Sequence, residues 1–153
     1  MTFERFESAG YLANHMARLF AQGLAERIGP LGLSPGQFPL LLVLWAHDGL
    51  TQRQLVDAID VEQATISNTL ARMERDGLIV RRPHAEDGRA QAIFLTARAK
   101  MLEAPATAAA TAQNELALSL LSGEERLAFN AMMLKVIAAM QRNDVVPLQP
   151  RSR

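Results

Sequence analysis

Between residues 51 and 96 the chain changes its period once, and that change limits the fold more than any other feature. Thr51-Gln52-Arg53-Gln54 has the spacing of a capping box, in which a hydroxyl and a carboxamide satisfy each other's backbone at a helix start. The helix it opens turns Leu55, Val56 and Ile59 inward, and a break follows at Asp60 and Val61. A second helix covers about residues 62–76, where Ile66, Leu70 and Met73 recur at the spacing of a buried stripe. Opposite them lie Ala64, Asn68, Ala71 and Arg75, flanked by Thr65, Ser67 and Arg72. Gly77 is a natural stop for this helix. Residues 78–82 and 90–95 then read as short strands, and the turn between them passes through Asp87-Gly88.

Two short helices followed by a hairpin is the order of a winged helix-turn-helix. The expected class is mainly α with a small two- or three-stranded antiparallel sheet. Long helices flank this unit. Leu12, Met16, Leu19 and Phe20 mark a first helix from Phe3 to about Ile28, ended by Gly29-Pro30. Gly10 and Gly23 lie inside it at about 1 kcal/mol each relative to alanine, so packing must set its register. Ser34-Pro35-Gly36-Gln37 reads as the next helix start, to about His47. Pro39 sits a turn too deep for that start, so either the first turn is irregular or the helix begins later. The run LLLVLW is apolar on nearly every side and belongs in the middle of the fold.

A further helical region begins at Thr96, with a kink or break expected near Pro105. Ser122-Gly123-Glu124-Glu125 is another capping box. Phe129, Met132, Met133, Val136, Ile137 and Met140 form the apolar stripe of the helix it opens. Residues 145–153 carry two prolines and no periodicity, the pattern of a frayed tail. The expected divisions are 1–33, an N-terminal dimerisation helix; 34–96, the winged helix-turn-helix; 97–142, C-terminal dimerisation helices; and 143–153, a flexible tail. Dimerisation enters because the winged unit already buries a small core around Trp45, Leu55, Ile66 and Leu70. The terminal stripes are surplus to it, and pairing them between two subunits would bury that surplus.

With 16 basic and 16 acidic residues the chain has no global polyelectrolyte character, so any hold on nucleic acid must be local. The absence of cysteine excludes disulfides, thiolate metal sites and thiol redox sensing. His15, His47 and His84 are too widely spaced to suggest a metal site, and neither metal nor cofactor is expected. No nucleophile–base pair, phosphate-binding loop or dinucleotide fingerprint is present, so no catalytic residue is assigned and an enzyme is not expected. The start MTFERFESAGYL lacks a signal-peptide apolar block, and FPLLLVLWA falls well short of the roughly 20 residues that span a bilayer. The expectation is a cytoplasmic protein without a membrane partner.

The stretch LVDAIDVEQATISNTLARMERDGLIVRRPHAEDGRAQAIFLT, residues 55–96, resembles the winged helix-turn-helix of the MarR family of bacterial transcriptional regulators. The resemblance rests on the T-Q-x-x-L opening at Thr51, A-T-I-S in the second helix, the R-M-E-R-D-G-L-I exit, the D-G-R wing tip and the closing Leu-Thr. Two positions depart from the family pattern: Asn68, where many relatives carry arginine, and Ala99, where many carry glycine. The first bears on base preference and the second on the helix start at Thr96.

The resemblance implies a homodimer that binds double-stranded DNA at a pseudo-palindromic operator as a ligand-responsive repressor. Independently of it, a helix fits the major groove, where each base pair displays its own donor and acceptor pattern. Polar residues in the first half of the second helix would reach base edges, which selects Gln63, Thr65, Ser67 and Asn68. Arg72, further along that flank, would meet a phosphate or a guanine. In the wing, Asp87 would direct Arg89, and the resemblance places that arginine at the minor groove. Arg81 and Arg82 lie on opposite faces of one strand, so one faces DNA while the other pairs with a protein carboxylate; the resemblance favours Arg82 as the DNA contact. It also implies a small aromatic or phenolic effector, with Tyr11, His15, Arg18 and Trp45 as candidate lining; ordinary packing in the core and interface is the commoner role for such residues. The alternative reading is a winged-helix protein-interaction scaffold without DNA recognition.

Overall fold

The computed structural model describes residues 2–86 and 88–141. The residues expected to form the tail, 143–153, lie outside that range, as does residue 142. Ser8 accepts a hydrogen bond from the backbone N–H of Tyr11 and so caps helix α1, Ala9–Ile28. The first helix therefore starts later than Phe3, and Arg5–Glu7 ahead of it form a separate 3₁₀ turn. Helix α2 is Phe38–Ala46 with Pro39 in its first turn, where a missing N–H is harmless. Of the two starts left open by Pro39, the later one holds. Gln37 still reaches back, its Oε1 accepting from Ser34 N at 3.2 Å, but the pair closes the turn before α2 and not a helical one.

The residues that follow form strand β1, Leu50–Thr51, and helix α3, Gln52–Ala58, whose Thr51–Gln54 capping box is complete. Helix α4, Gln63–Arg75, ends in the double hydrogen bond of a Schellman motif, with Leu78 N on Met73 O and Gly77 N on Glu74 O. Gly77 has φ +72°, so only glycine turns the chain there without strain. Strands β2, Ile79–Pro83, and β3, Gln91–Leu95, pair antiparallel with Arg81 opposite Ile93 and Arg82 opposite Ala92. β1 joins the other edge of β3, giving the order β1-β3-β2. The third strand settles the range of two or three.

Thr96 caps helix α5, Ala97–Met101, by accepting from Ala99 N, so alanine at that position leaves the helix start where the motif predicts it. The break expected near Pro105 falls at Leu102. Helix α6, Glu103–Ala117, then carries Pro105 in its first turn. Helix α7, Gly123–Met140, opens with the expected Ser122–Glu125 box.

One apolar core unites these elements. Ile66, Leu70 and Met73 of α4 are at most 2% exposed and pack with Leu41, Leu44, Leu55, Leu78, Ile79 and Ile93. At the other end α1 lies along α6, and Gly23 permits the close approach. A Cβ there would overlap the carboxamide of Gln113, itself buried and held by Arg27 Nη1 on its Oε1 at 2.7 Å. Gly23→Ala is expected to lower stability by about 1–3 kcal/mol despite alanine's better helix propensity, because overpacking outweighs it. Thermal unfolding of the pair would check this; an equal or higher midpoint would mean that Gln113 moves aside freely.

Candidate nucleic-acid interface

Burying Ile66, Leu70 and Met73 fixes which side of α4 faces outward. Thr65, Asn68 and Arg72 are exposed on that side, and Gln63, in the first turn, is exposed next to Arg53, Val56 and Asp57 of α3. Ser67 is different. It is half-buried, and its hydroxyl accepts from Gln52 Nε2 at the start of α3. One lone pair is thus used inside the protein, leaving its O–H free to point toward a ligand. Thr69 bonds back to Thr65 O at 2.9 Å within the helix, as hydroxyls often do.

The hairpin stands beside this face. Arg81 is the inward member of the arginine pair: its Nε lies 3.5 Å from Glu74 Oε2, and its Nη1 donates to Gln52 Oε1 at 3.5 Å. Arg82 is exposed, as is Arg89 near the tip. Asp87, expected to direct Arg89, lies outside the described residues. The tip is closed at its base by His84 N on Ala90 O at 2.8 Å. Gln52 therefore touches α4 through Ser67 and β2 through Arg81, so helix, turn and wing are joined by side chains as well as by the core. Thr65, Asn68 and Arg72 thus share the outward side of α4, and Arg82 is exposed on strand β2.

The four effector candidates are distributed differently. Tyr11 and His15 meet edge to face, ring centroids 6.2 Å apart, and Arg18 is exposed a turn further along α1. Trp45 packs against Phe38, and its indole N–H donates to Ala99 O at 2.9 Å. Phe38 faces the far part of α1, where it shares a cleft of about 290 Å³ with Phe20, Leu24 and Gln113. Leu24 is 13 residues, or about 20 Å, along the helix from Tyr11. The ring contacts of Tyr11 are with Phe6 and His15, and that of Trp45 is with Phe38.

A second surface is apolar. Leu12 and Met16 of α1, with Phe129, Met133, Ile137 and Met140 of α7, line a groove of about 630 Å³. All six apolar residues of the α7 stripe border it, and α7 buries none of its residues. Among the described residues, no helix is long and apolar enough to cross a membrane.

Residues 31–90 match the model of the MarR family. Over 127 residues the chain is 31% identical to the transcriptional regulator HosA of Escherichia coli O111:H-, an alignment covering 82% of this chain and 94% of that protein. This chain belongs to the MarR family. A further match is the HTH-type transcriptional regulator YwoH of Bacillus subtilis, 33% identical over 87 residues; the alignment takes in 57% of this chain and spans 63% of YwoH. Among solved structures, the MepR–DNA complex of Staphylococcus aureus superposes with a TM-score of 0.79 at 27% identity, covering 90% of this MarR chain and all of that one. The winged helix-turn-helix of residues 50–95 is therefore the MarR fold.

Sequence reasoning assigned no role to Gln52. It stands inside the T-Q-x-x-L opening, but its neighbour Gln54 supplies the capping interaction, so the spacing alone explained the motif without it. Arg53, exposed at the same helix start, borders a depression with Val56, Asp57 and Gln63.

Proposed function

We propose that this chain is a homodimeric, sequence-specific DNA-binding transcriptional regulator, a ligand-responsive repressor of a pseudo-palindromic operator on double-stranded DNA. The observation that carries the reading is the outward face of α4: its first half presents polar side chains while its inner face is locked into the core. Gln63, Thr65 and Asn68 read base edges, with the Ser67 O–H beside them, and Arg72 anchors a phosphate. Arg82, Asp87 and Arg89 form the wing contact. The relative MepR, seen with DNA, supports the same use of the fold.

Residues 34–96 act as the reader, and 1–33 with 97–142 as the dimerisation part. The apolar groove between α1 and α7 supports that division, because a second copy would cover it and place two readers about 34 Å apart. A small aromatic or phenolic effector belongs to the same proposal. Tyr11, His15 and Arg18 stand on one side of α1, and Trp45 packs on Phe38, which lines the cleft beside Gln113. Such a ligand acts only if its binding free energy differs between two spacings of the readers. The protein is proposed to work in the cytoplasm without catalytic activity, cofactor or metal.

Selection from a random DNA pool tests the reading. The expected product is a two-fold symmetric site with half-sites about 10 base pairs apart, bound with an affinity that falls steeply with salt. No enrichment, with salt-insensitive binding, would favour the interaction-scaffold reading instead. On the selected site Arg89→Ala is expected to weaken binding by about tenfold or more, with the dimer intact, since a wing-tip contact serves DNA and not the core. Unchanged affinity at moderate salt would remove Arg89 from the interface.

A further inference from the structure

We propose that Gln37 and Asp76 are positioning residues for DNA reading: together they transmit the placement of the helical frame to the far end of α4. The proposal rests on α4 being the reader. Gln37 is 5% exposed and, with Gln113, one of the two buried polar side chains among the described residues. Both ends of its carboxamide are used. Oε1 holds the Ser34–Gln37 turn, and Nε2 donates to Asp76 Oδ2 at 3.2 Å, across 39 residues of sequence.

Asp76 is the residue at which α4 ends, and several parts of the frame converge on it. Arg75 Nε lies 3.3 Å from its Oδ1, and Arg98 of α5 donates to its backbone carbonyl. The other guanidinium nitrogen of Arg98 lies against Gly32, where an added Cβ would stand 2.9 Å from Nη2. Loop 32–37 and α5 thus reach α4 at one point.

A carboxylate at the C-terminal end of a helix faces the negative end of the helix dipole, so Asp76 does not stabilise α4 alone. Its bond to Gln37 and its place beside two arginines offset that opposition and give the residue a tying role. Hydrogen bonds add what apolar packing lacks, a preferred direction. α4 has 13 residues and is about 20 Å long, so a tilt of about 3° at Asp76 moves its Gln63 end by about 1 Å. A shift of that size takes a base contact out of hydrogen-bond range. Gln37 also lies between Pro35 and Phe38, which line the cleft shared by α1 and α6. Anything that displaces those two residues pulls on Asp76.

The test uses full-length protein and the DNA site that the unmodified protein selects from a random pool. Affinity for that site and for scrambled DNA is measured at fixed salt for Gln37→Met, Asp76→Ala and Asp76→Asn, with melting temperature and oligomeric state recorded for each. Asp76→Asn keeps an acceptor for Gln37 Nε2 and is expected to retain discrimination. Gln37→Met and Asp76→Ala are expected to lower the specific-to-nonspecific ratio by about tenfold, while nonspecific binding, which phosphate contacts carry, changes by less than about twofold.

Asp76→Ala leaves the core untouched, because the Asp76 side chain is 35% exposed, so it serves even if Gln37→Met fails to fold. Lower melting temperatures with an unchanged ratio, or Asp76→Asn behaving like Asp76→Ala, would overturn the proposal. An unmodified protein that enriches no sequence overturns the reading of α4 and this proposal with it. An enriched site that all three variants bind like the unmodified protein overturns the proposal alone.

Discussion

Met133→Asp is expected to produce a monomer with a folded reader that binds the operator about a hundredfold more weakly than the unmodified protein. Met133 lies half-buried in the α1–α7 groove, and its neighbours Met132, Val136, Ile137 and Met140 are 57%, 56%, 44% and 72% exposed. A helix with an apolar stripe and no buried residue is covered by something when it is stable. An aspartate there would be harmless in a free subunit. In a paired groove it would be an unpaired charge in apolar surroundings, at a cost of several kcal/mol. Monomerisation then weakens DNA binding because two linked readers gain about 10²–10⁴ in avidity over one. Light scattering gives the mass, and Trp45 emission reports the fold, since its indole on α2 is bonded to Ala99 O of α5 and senses the packing of the reader on the helix that follows it. A variant that remains dimeric would show that this groove is not the subunit interface.

Much of this arrangement was legible in the residues because local chemistry decided it. The Thr51 and Ser122 capping boxes, the Ile66–Leu70–Met73 stripe and the Gly77 stop each depend on neighbours within a few residues, and each formed as its spacing predicts. Where the residues left two readings open, packing decided between them. Pro39 left the start of α2 open, and the helix begins at Phe38 with Gln37 bonded to both Ser34 N and Asp76. β1 is two residues long and exists only because β3 offers it an edge at Ile93 and Ala92.

The arginine pair shows the same division. Alternation along a strand says that Arg81 and Arg82 point to opposite sides, but not which carboxylate waits for the inner one. Glu74, seven residues back and on another element, was unreadable as that partner until α4 and β2 were packed together. Ser67 was read as a base contact from its helix position alone. Its bond to Gln52 depends on how α3 crosses α4, which no local pattern encodes.

Asn68→Glu should separate the fold of α4 from its use, with an expected loss of operator affinity of at least about a hundredfold and no loss of stability beyond about 0.5 kcal/mol. Asn68 is exposed, so glutamate meets no core atom, and its helix propensity is better than that of asparagine. On DNA the same carboxylate would stand among base edges and between phosphates. A good side-chain–base pair is worth about 1–3 kcal/mol, and an unpaired buried charge costs about 3–5 kcal/mol more. The first amount alone changes affinity by about 5- to 150-fold and the second by about 150-fold or more, since 1.4 kcal/mol is one decade. Nonspecific binding should fall as well, because repulsion by phosphates does not depend on sequence. The neutral change Asn68→Ala is the counterpart: it should narrow discrimination by about 1–3 kcal/mol while leaving nonspecific binding near its original level. If Asn68→Glu weakens operator binding by less than about tenfold, α4 does not present this side to the groove, and the readers must be sought on another face.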